Sequence, residues 1–392
     1  MKRTAVHRLS VLLAVLMVGM ASVLPAYAVD DAHRQKALAA IERGIAYLRS
    51  TQNADGSWSP QPGPAITALA ITPMLDHAGP GPDDPAAERG LAYILSKVQP
   101  DGGIYDGILA NYNTAICLSA LGRVRERPDV AEVIVRAQDF LRQLQWSNQS
   151  DPHGRQVDES HPFFGGAGYG KHGRPDLSNT QMMLQGLYDS GLDCRDPAFQ
   201  RALVFISRCQ GVPGNDLFKE QIVQDGGFIY ATSIDQDHIG VPQSMASPEM
   251  IDEARAGRPV SGLRTYGSMT YAGFKSYIYA LLRRDDPRVV AAYDWIRGHY
   301  TLQQNPGMPS GLEHHGLYYY YVTFARALNA WGQDDIETLD GQRRDWANDL
   351  IDQLASLQRP DGSWMNDADR WMEGDPNLVT AYALIALTEA AR

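Results

Sequence analysis

The chain has 392 residues, 44% of them hydrophobic and 21% charged, enough apolar material for a substantial buried core and too much for a disordered polypeptide. A formal net charge of -11 disfavours nucleic acid, which is held by clustered Lys and Arg. Three cysteines are too few for a disulfide scaffold.

The N-terminus reads as a leader. Lys2, Arg3 and Arg8 precede an apolar run over residues 9–25, and Ala26-Tyr27-Ala28 is a small-x-small cleavage site. This predicts a signal peptide over residues 1–28, cleaved after Ala28, and an exported protein, periplasmic or extracellular. Its removal takes three positive charges and no acid, so the net charge goes from -11 to -14. No later segment is long and apolar enough to cross a bilayer. Residues 29–392 are expected to form one domain. Cys194 and Cys209 flank a predicted helix of about 18 Å, too long for a bridge, so free thiols are expected for both and for Cys117.

The remainder is periodic. Arg43-Gly44, Tyr47-Leu48, Gln52, Asp55-Gly56 and Trp58 form a pattern that returns at Arg89-Gly90, Tyr93-Ile94, Gln99 and Asp101-Gly102. Its first half returns at Arg136 to Gln145 and at Arg201 to Gln210, with Asp225-Gly226 much later. A weak copy runs from Ala292 to Gln303, and the last holds Leu354, Gln358, Asp361-Gly362 and Trp364. Six copies are thus present. Each begins with an amphipathic helix, as in Leu38, Ile41, Ile45 and Leu48. Asp84-Pro85, Asp196-Pro197 and Asp286-Pro287 mark helix starts, with Asp as cap and Pro at the first helical position. After each turn comes a second helix, apolar nearly all round, as at 66–71, 114–118, 180–184 and 378–385. Such helices are buried on every side. Six amphipathic helices alternating with six buried ones predict an all-α, closed (α/α)6 toroid.

Arg43 to Trp58 matches the QW repeat of squalene-hopene and oxidosqualene cyclases residue by residue. The chain therefore resembles the terpenoid cyclase and protein prenyltransferase superfamily over residues 35–392. The resemblance implies structural roles for Gln52, Trp58, Gln99, Gln145, Gln358 and Trp364. It does not carry over the chemistry. The Asp-x-Asp-Asp acid motif of the cyclases is absent, as are the Asp-x-Cys zinc pair of the prenyltransferases and the Cys-Gly-Glu-Gln of thioester domains. No cofactor and no metal site is expected; the adjacent His314 and His315 point in different directions.

Insertions locate the working face. The links from first to second helix lengthen to 147–177 in the third repeat and 211–265 in the fourth, while the opposite links stay short. These links end at inner-helix N-termini, which favour anions, and they hold six of the ten histidines. Three segments carry candidate ligand contacts. The first is Phe163–Thr180, with Tyr169, Lys171, His172, Arg174 and Asp176, where Ser178 and Asn179 form a helix cap. The second is Asp235-Gln236-Asp237-His238. The third is Glu313–Tyr321, with His314, His315 and Tyr318; four consecutive tyrosines on a helix put at least one ring into a central cavity.

The expectation that follows is an exported cyclase-like toroid holding an apolar or isoprenoid-type molecule. Tyr318 or Tyr277 would face any cation, with Asp235 or Asp237 as acid. One alternative is a secreted polysaccharide lyase or hydrolase, using His172, Lys171 or Arg174 as base or clamp and Tyr169 as proton donor. Another is a non-catalytic module whose inserted loops bind a protein partner.

Overall fold

The computed structural model describes residues 29–77, 79 and 81–392. The leader read from residues 1–28 lies outside them. Among the described residues thirteen α-helices follow in order: α1 (Asp31–Thr51), α2 (Ala65–Asp76), α3 (Pro85–Ser96), α4 (Ala110–Leu121), α5 (Pro128–Leu144), α6 (Leu177–Asp189) and α7 (Pro197–Arg208). A short α8 (Glu249–Arg255) precedes α9 (Gly267–Tyr279), α10 (Pro287–Gly298), α11 (Leu317–Trp331), α12 (Trp346–Leu357) and α13 (Pro376–Ala390). A small antiparallel hairpin, β1 (Asp335–Glu337) and β2 (Arg343–Asp345), lies between α11 and α12.

Capping explains where the outer helices begin. Asp30, Asp84, Asp196, Asp286 and Asp345 each accept a first-turn backbone N–H, at 2.8–3.0 Å. The inner helices α2, α4 and α13 are buried along nearly their whole length. Each inner helix packs on the next, α2 on α4, then α6, α9, α11 and α13, and α13 packs back on α2. The ring is closed. The amphipathic helices α1, α3, α5, α7, α10 and α12 form the outer layer, with α1 against α12 at the seam.

The repeated residues are the joints between repeats. Gln52, Gln145, Gln210 and Gln358 each donate to a turn-glycine carbonyl and to a first-half carbonyl of the next outer helix, at 2.8–3.0 Å. Gln99 differs: its side-chain amide donates only to the local carbonyls of Lys97 and Tyr105. The turn glycines Gly56, Gly102, Gly165, Gly226 and Gly362 have φ between +82° and +90°, and each rests on a carbonyl of the next outer helix. Gly362 rests on Arg43, so the same joint closes the circle. Two residues after each of these glycines, a backbone N–H donates to an inner-helix threonine: Thr67, Thr114, Thr180, Thr270 or Thr380. Trp58 and Trp364 donate to Leu48 and Leu354 carbonyls and pack over Gly90 and Gly44. There a Cβ would meet the indole.

Three details depart from expectation. The third repeat does have its turn glycine, Gly165, inside the run read as a ligand loop. The opposite links are not uniformly short, since the one after α11 carries the hairpin. Part of the 211–265 insertion is helical, as α8. All three cysteines are free, with Cys117 and Cys209 buried. No helix among the described residues is long and apolar enough to cross a membrane.

Candidate functional site

The two long links lie together at one end of the ring. His153 Nε2 contacts the carbonyl of Gln236 at 3.0 Å, and Gln236 Nε2 donates to the His172 carbonyl at 3.1 Å. At this end, where the inner helices start, a cavity of about 220 Å³ opens among the first turns of α2, α4, α6, α9, α11 and α13. Tyr112, Tyr169, Tyr230, Tyr266, Tyr319 and Tyr382 line it, with Ile66, Met182, Met269 and Leu378 between them and Trp371 and Met372 at the rim. Tyr112 and Tyr169 lie 6.1 Å apart between ring centroids, and Tyr319 and Tyr382 6.2 Å. Tilted rings at this spacing present both faces and edges to a ligand.

Polar groups behind the rings hold them in place. The Tyr319 hydroxyl accepts from Gln181 Nε2 at 2.9 Å and meets Ser178 Oγ at 3.2 Å. The Arg174 guanidinium stacks on Tyr230 at 5.2 Å. Burial raises the Tyr112 hydroxyl to about 12, against a hydrogen bond with Tyr382. It likewise pushes Tyr230, Tyr266 and Tyr382 well above the usual phenol range. These hydroxyls stay protonated at neutral pH.

Glu373 is the carboxyl in the cavity wall. It is 1% exposed and accepts the backbone N–H of Tyr318 at 3.2 Å, that of Tyr319 at 2.8 Å and Asn366 Nδ2 at 2.7 Å. The first residue of α11 follows a glycine without a side-chain cap, so Glu373 caps that helix from the link before α13. Burial raises its carboxyl and the hydrogen bonds from Asn366 and the α11 backbone lower it, leaving it pushed up to about 7. Trp371 and Met372, just before it, both have φ in the left-handed region, at +59° and +66°. Two such non-glycine residues in succession are strained and are held by their surroundings. Gly316 leaves the space that the Trp371 indole occupies.

The sequence-predicted residues divide sharply. Tyr169 lines the cavity. Asp176 stands behind the wall as the buried cap of α6, bonded to the N–H and amide of Asn179, with its carboxyl raised by burial. Arg174 acts through Tyr230. Lys171 pairs with Asp101 at 2.6 Å and lies over Tyr105. His172 is exposed, with φ +49° and its ring against Trp146. Asp235, Asp237 and His238 form a half-exposed turn that does not line the cavity. Partial burial raises the Asp235 carboxyl, but His238 at 2.8 Å and two backbone N–H groups outweigh it and hold it low. An ionised carboxylate outside the cavity is no acid for a ligand within it.

The tyrosine run also sorts differently from expectation. Tyr319 enters the cavity, whereas Tyr318 packs edge-on against Tyr321. Tyr320 and Tyr321 donate to the carbonyls of Thr301 and Leu302. Tyr277 faces the outer layer, where its hydroxyl donates to Gln210 at 2.8 Å beneath Arg288. His314 offers its carbonyl to Asn366, and the His315 ring sits 6.3 Å from Trp371 at the rim. Among the described residues no group of three or more His, Cys, Asp or Glu could hold a metal ion.

No known family profile matches the chain. Drimenyl diphosphate synthase of Streptomyces showdoensis is 34% identical over 84 residues, which is 20% of this chain and 16% of that protein. Among solved structures, a variant of the type II terpene cyclase MstE from Scytonema, in complex with its product merosterolic acid A, is similar over 92% of this chain and 98% of its own, at 14% identity and a TM-score of 0.53. The GH76A α-1,6-mannanase of Salegentibacter sp. HEL1_6 aligns over 91% and 98%, at 12% identity and a TM-score of 0.57. A D-mannose isomerase aligns over 92% and 97%, at 11% identity and a TM-score of 0.56. At these identities the likeness is one of fold. Together with the closed ring, it makes this chain an α/α toroid, the fold it shares with the terpene cyclase and the mannanase alike.

Proposed function

We propose that the protein is an exported toroid that holds an apolar or isoprenoid-type small molecule in the tyrosine-lined cavity at the mouth of its inner ring. One observation carries this. Six tyrosines, from three inner helices, the cap position of α9 and the two long links, converge on one space, with methionine, leucine and isoleucine between them and few polar atoms facing inward. Such a wall gains from burying hydrocarbon, at about 25 cal/mol per Å², and its ring faces favour electron-poor or cationic centres. Concave, mostly apolar sites with a few polar groups are the usual form of small-molecule pockets. Two groove residues of the glycan alternative are already engaged, Lys171 by Asp101 and Arg174 by Tyr230.

Native mass spectrometry of the purified mature protein tests the proposal. A mass above that of the polypeptide, lost on organic extraction and restored by geraniol, is expected. A protein that carries nothing and takes up no geraniol would overturn it.

A further inference from the structure

Below the mouth cavity, on the ring axis, lies a second chamber of about 30 Å³, roughly the volume of one water. All six inner helices contribute to its wall, and Met182, Tyr319 and Tyr382 are shared with the mouth cavity. Its polar side is built around Lys275 of α9, which is 1% exposed. The Lys275 Nζ donates to Gln181 Oε1 at 2.7 Å and to Gln185 Oε1 at 2.5 Å. Both amides are fixed from their other ends. Gln181 Nε2 donates to the Tyr319 hydroxyl at 2.9 Å, and Gln185 Nε2 to Asp189 Oδ1 at 2.8 Å. An ammonium has three donors, so one remains for the chamber.

The charges are unbalanced. Lys275 pairs with no carboxylate among the described residues. Arg326 of α11 also lines the chamber, and its Nε has no hydrogen bond, the nearest acid being Glu389 at 3.8 Å. A buried ammonium without a counter-charge is costly. Burial and Arg326 push the Lys275 amine well below the usual lysine range, against the smaller opposing effects of Asp189 of α6 and Glu389 of α13. Tyr279, Tyr319 and Tyr382 are the other titratable groups around it, since α2 and α4 present only Leu69, Thr72, Ala115, Ile116 and Ser119. The missing partner is an anion small enough for the chamber and attached to something that fills the cavity above.

We propose that the chamber is a headgroup site and that the ligand is an apolar carboxylic acid, its carboxylate against Lys275 and Arg326 and its chain among the mouth tyrosines. An acid entering in its neutral form passes its proton to the Lys275 amine, giving an ion pair with no net uptake. One entering as carboxylate requires a proton from solvent. This rests on the mouth cavity being a ligand site, and the test separates the two.

Geranic acid and geraniol share a chain and differ in the head. In calorimetric titrations of the mature protein near pH 6, the acid is expected to bind at least about tenfold tighter than the alcohol. That advantage should shrink as pH rises, because an ion pair formed at an amine held below the usual lysine range draws a proton. Lys275→Met is expected to abolish the advantage while leaving geraniol affinity within about twofold. Should that variant fail to fold, the wild-type comparison decides: equal binding of acid and alcohol overturns the headgroup site and leaves the mouth cavity standing. Binding of neither overturns both.

Discussion

The carboxylate of Glu373 accepts the backbone N–H of Tyr319 at 2.8 Å, so the link before the last inner helix caps the helix before it, at the wall of the cavity. One residue thus joins ring architecture to site geometry. Glu373→Ala strands the N–H groups of Tyr318 and Tyr319 and the Asn366 amide, at a cost of about 1–3 kcal/mol. Glu373→Gln keeps an acceptor and should cost less. Urea denaturation of the two variants checks the order, and equal stability of Glu373→Ala and wild type would contradict it.

The same carboxyl makes stability depend on pH. Burial pushes it up to about 7 from 4.5 despite its hydrogen bonds. Its folded value exceeds its unfolded one, so its contribution is complete below about pH 4.5 and is lost as pH rises through about 7. At ~1.4 kcal/mol per unit this amounts to a few kcal/mol. Buried Asp176, also raised, adds in the same direction. Denaturation midpoints measured from about pH 4.5 to 8 should fall for wild type relative to Glu373→Gln. Parallel curves would contradict the assignment.

Ring closure depends on a glycine. A Cβ at Gly362, at φ +90°, would lie 2.5 Å from the Arg43 carbonyl oxygen. Gly362→Ala is therefore expected to destabilise by several kcal/mol. Gly107→Ala, at φ +75° with open space around it, should cost only about 1 kcal/mol. Thermal unfolding of the pair separates the clash from backbone strain alone.

Neighbouring tyrosines should behave differently toward an apolar ligand. Tyr319→Ala removes a ring from the cavity and is expected to weaken geraniol binding by about 10- to 100-fold. Tyr319→Phe keeps the ring and should retain most of the affinity. Tyr318→Phe alters a residue packed on Tyr321 and should change nothing. Comparable losses in Tyr318→Phe and Tyr319→Ala would place the ligand elsewhere.

How far the sequence could be followed depended on the kind of signal. Closure, alternation and the gathering of inner-helix N-termini at one end were legible, because Gln-to-Gly and Asp-Pro spacings recur and each has one mechanical job. The site was legible only as an end of the ring. Four tyrosines on a helix guarantee an inward ring, but the one-residue phase that selects Tyr319 over Tyr318 is set by how α11 is docked. Asp235 and His172 drew notice as loop acid and base, yet loop residues bond their own turn as readily as they face a ligand. Glu373 belongs to no motif, and its role exists only because its link folds across α11. Lys275 did leave a trace: a lone lysine inside Gly267–Tyr279, an otherwise uncharged helix, is a buried amine whenever that helix lies inside a ring.

The most direct test of ligand binding in the ring is to photolyse the protein with a diazirine-bearing prenyl probe and map the labelled peptides. Adducts are expected on the segments around Tyr112, Tyr230, Tyr319 and Trp371, and they should be competed away by unlabelled prenyl ligand. Labelling confined to the surface turn at Asp235–His238, or to the outer groove between Tyr300 and Asp349, would contradict a ligand held at the mouth of the ring.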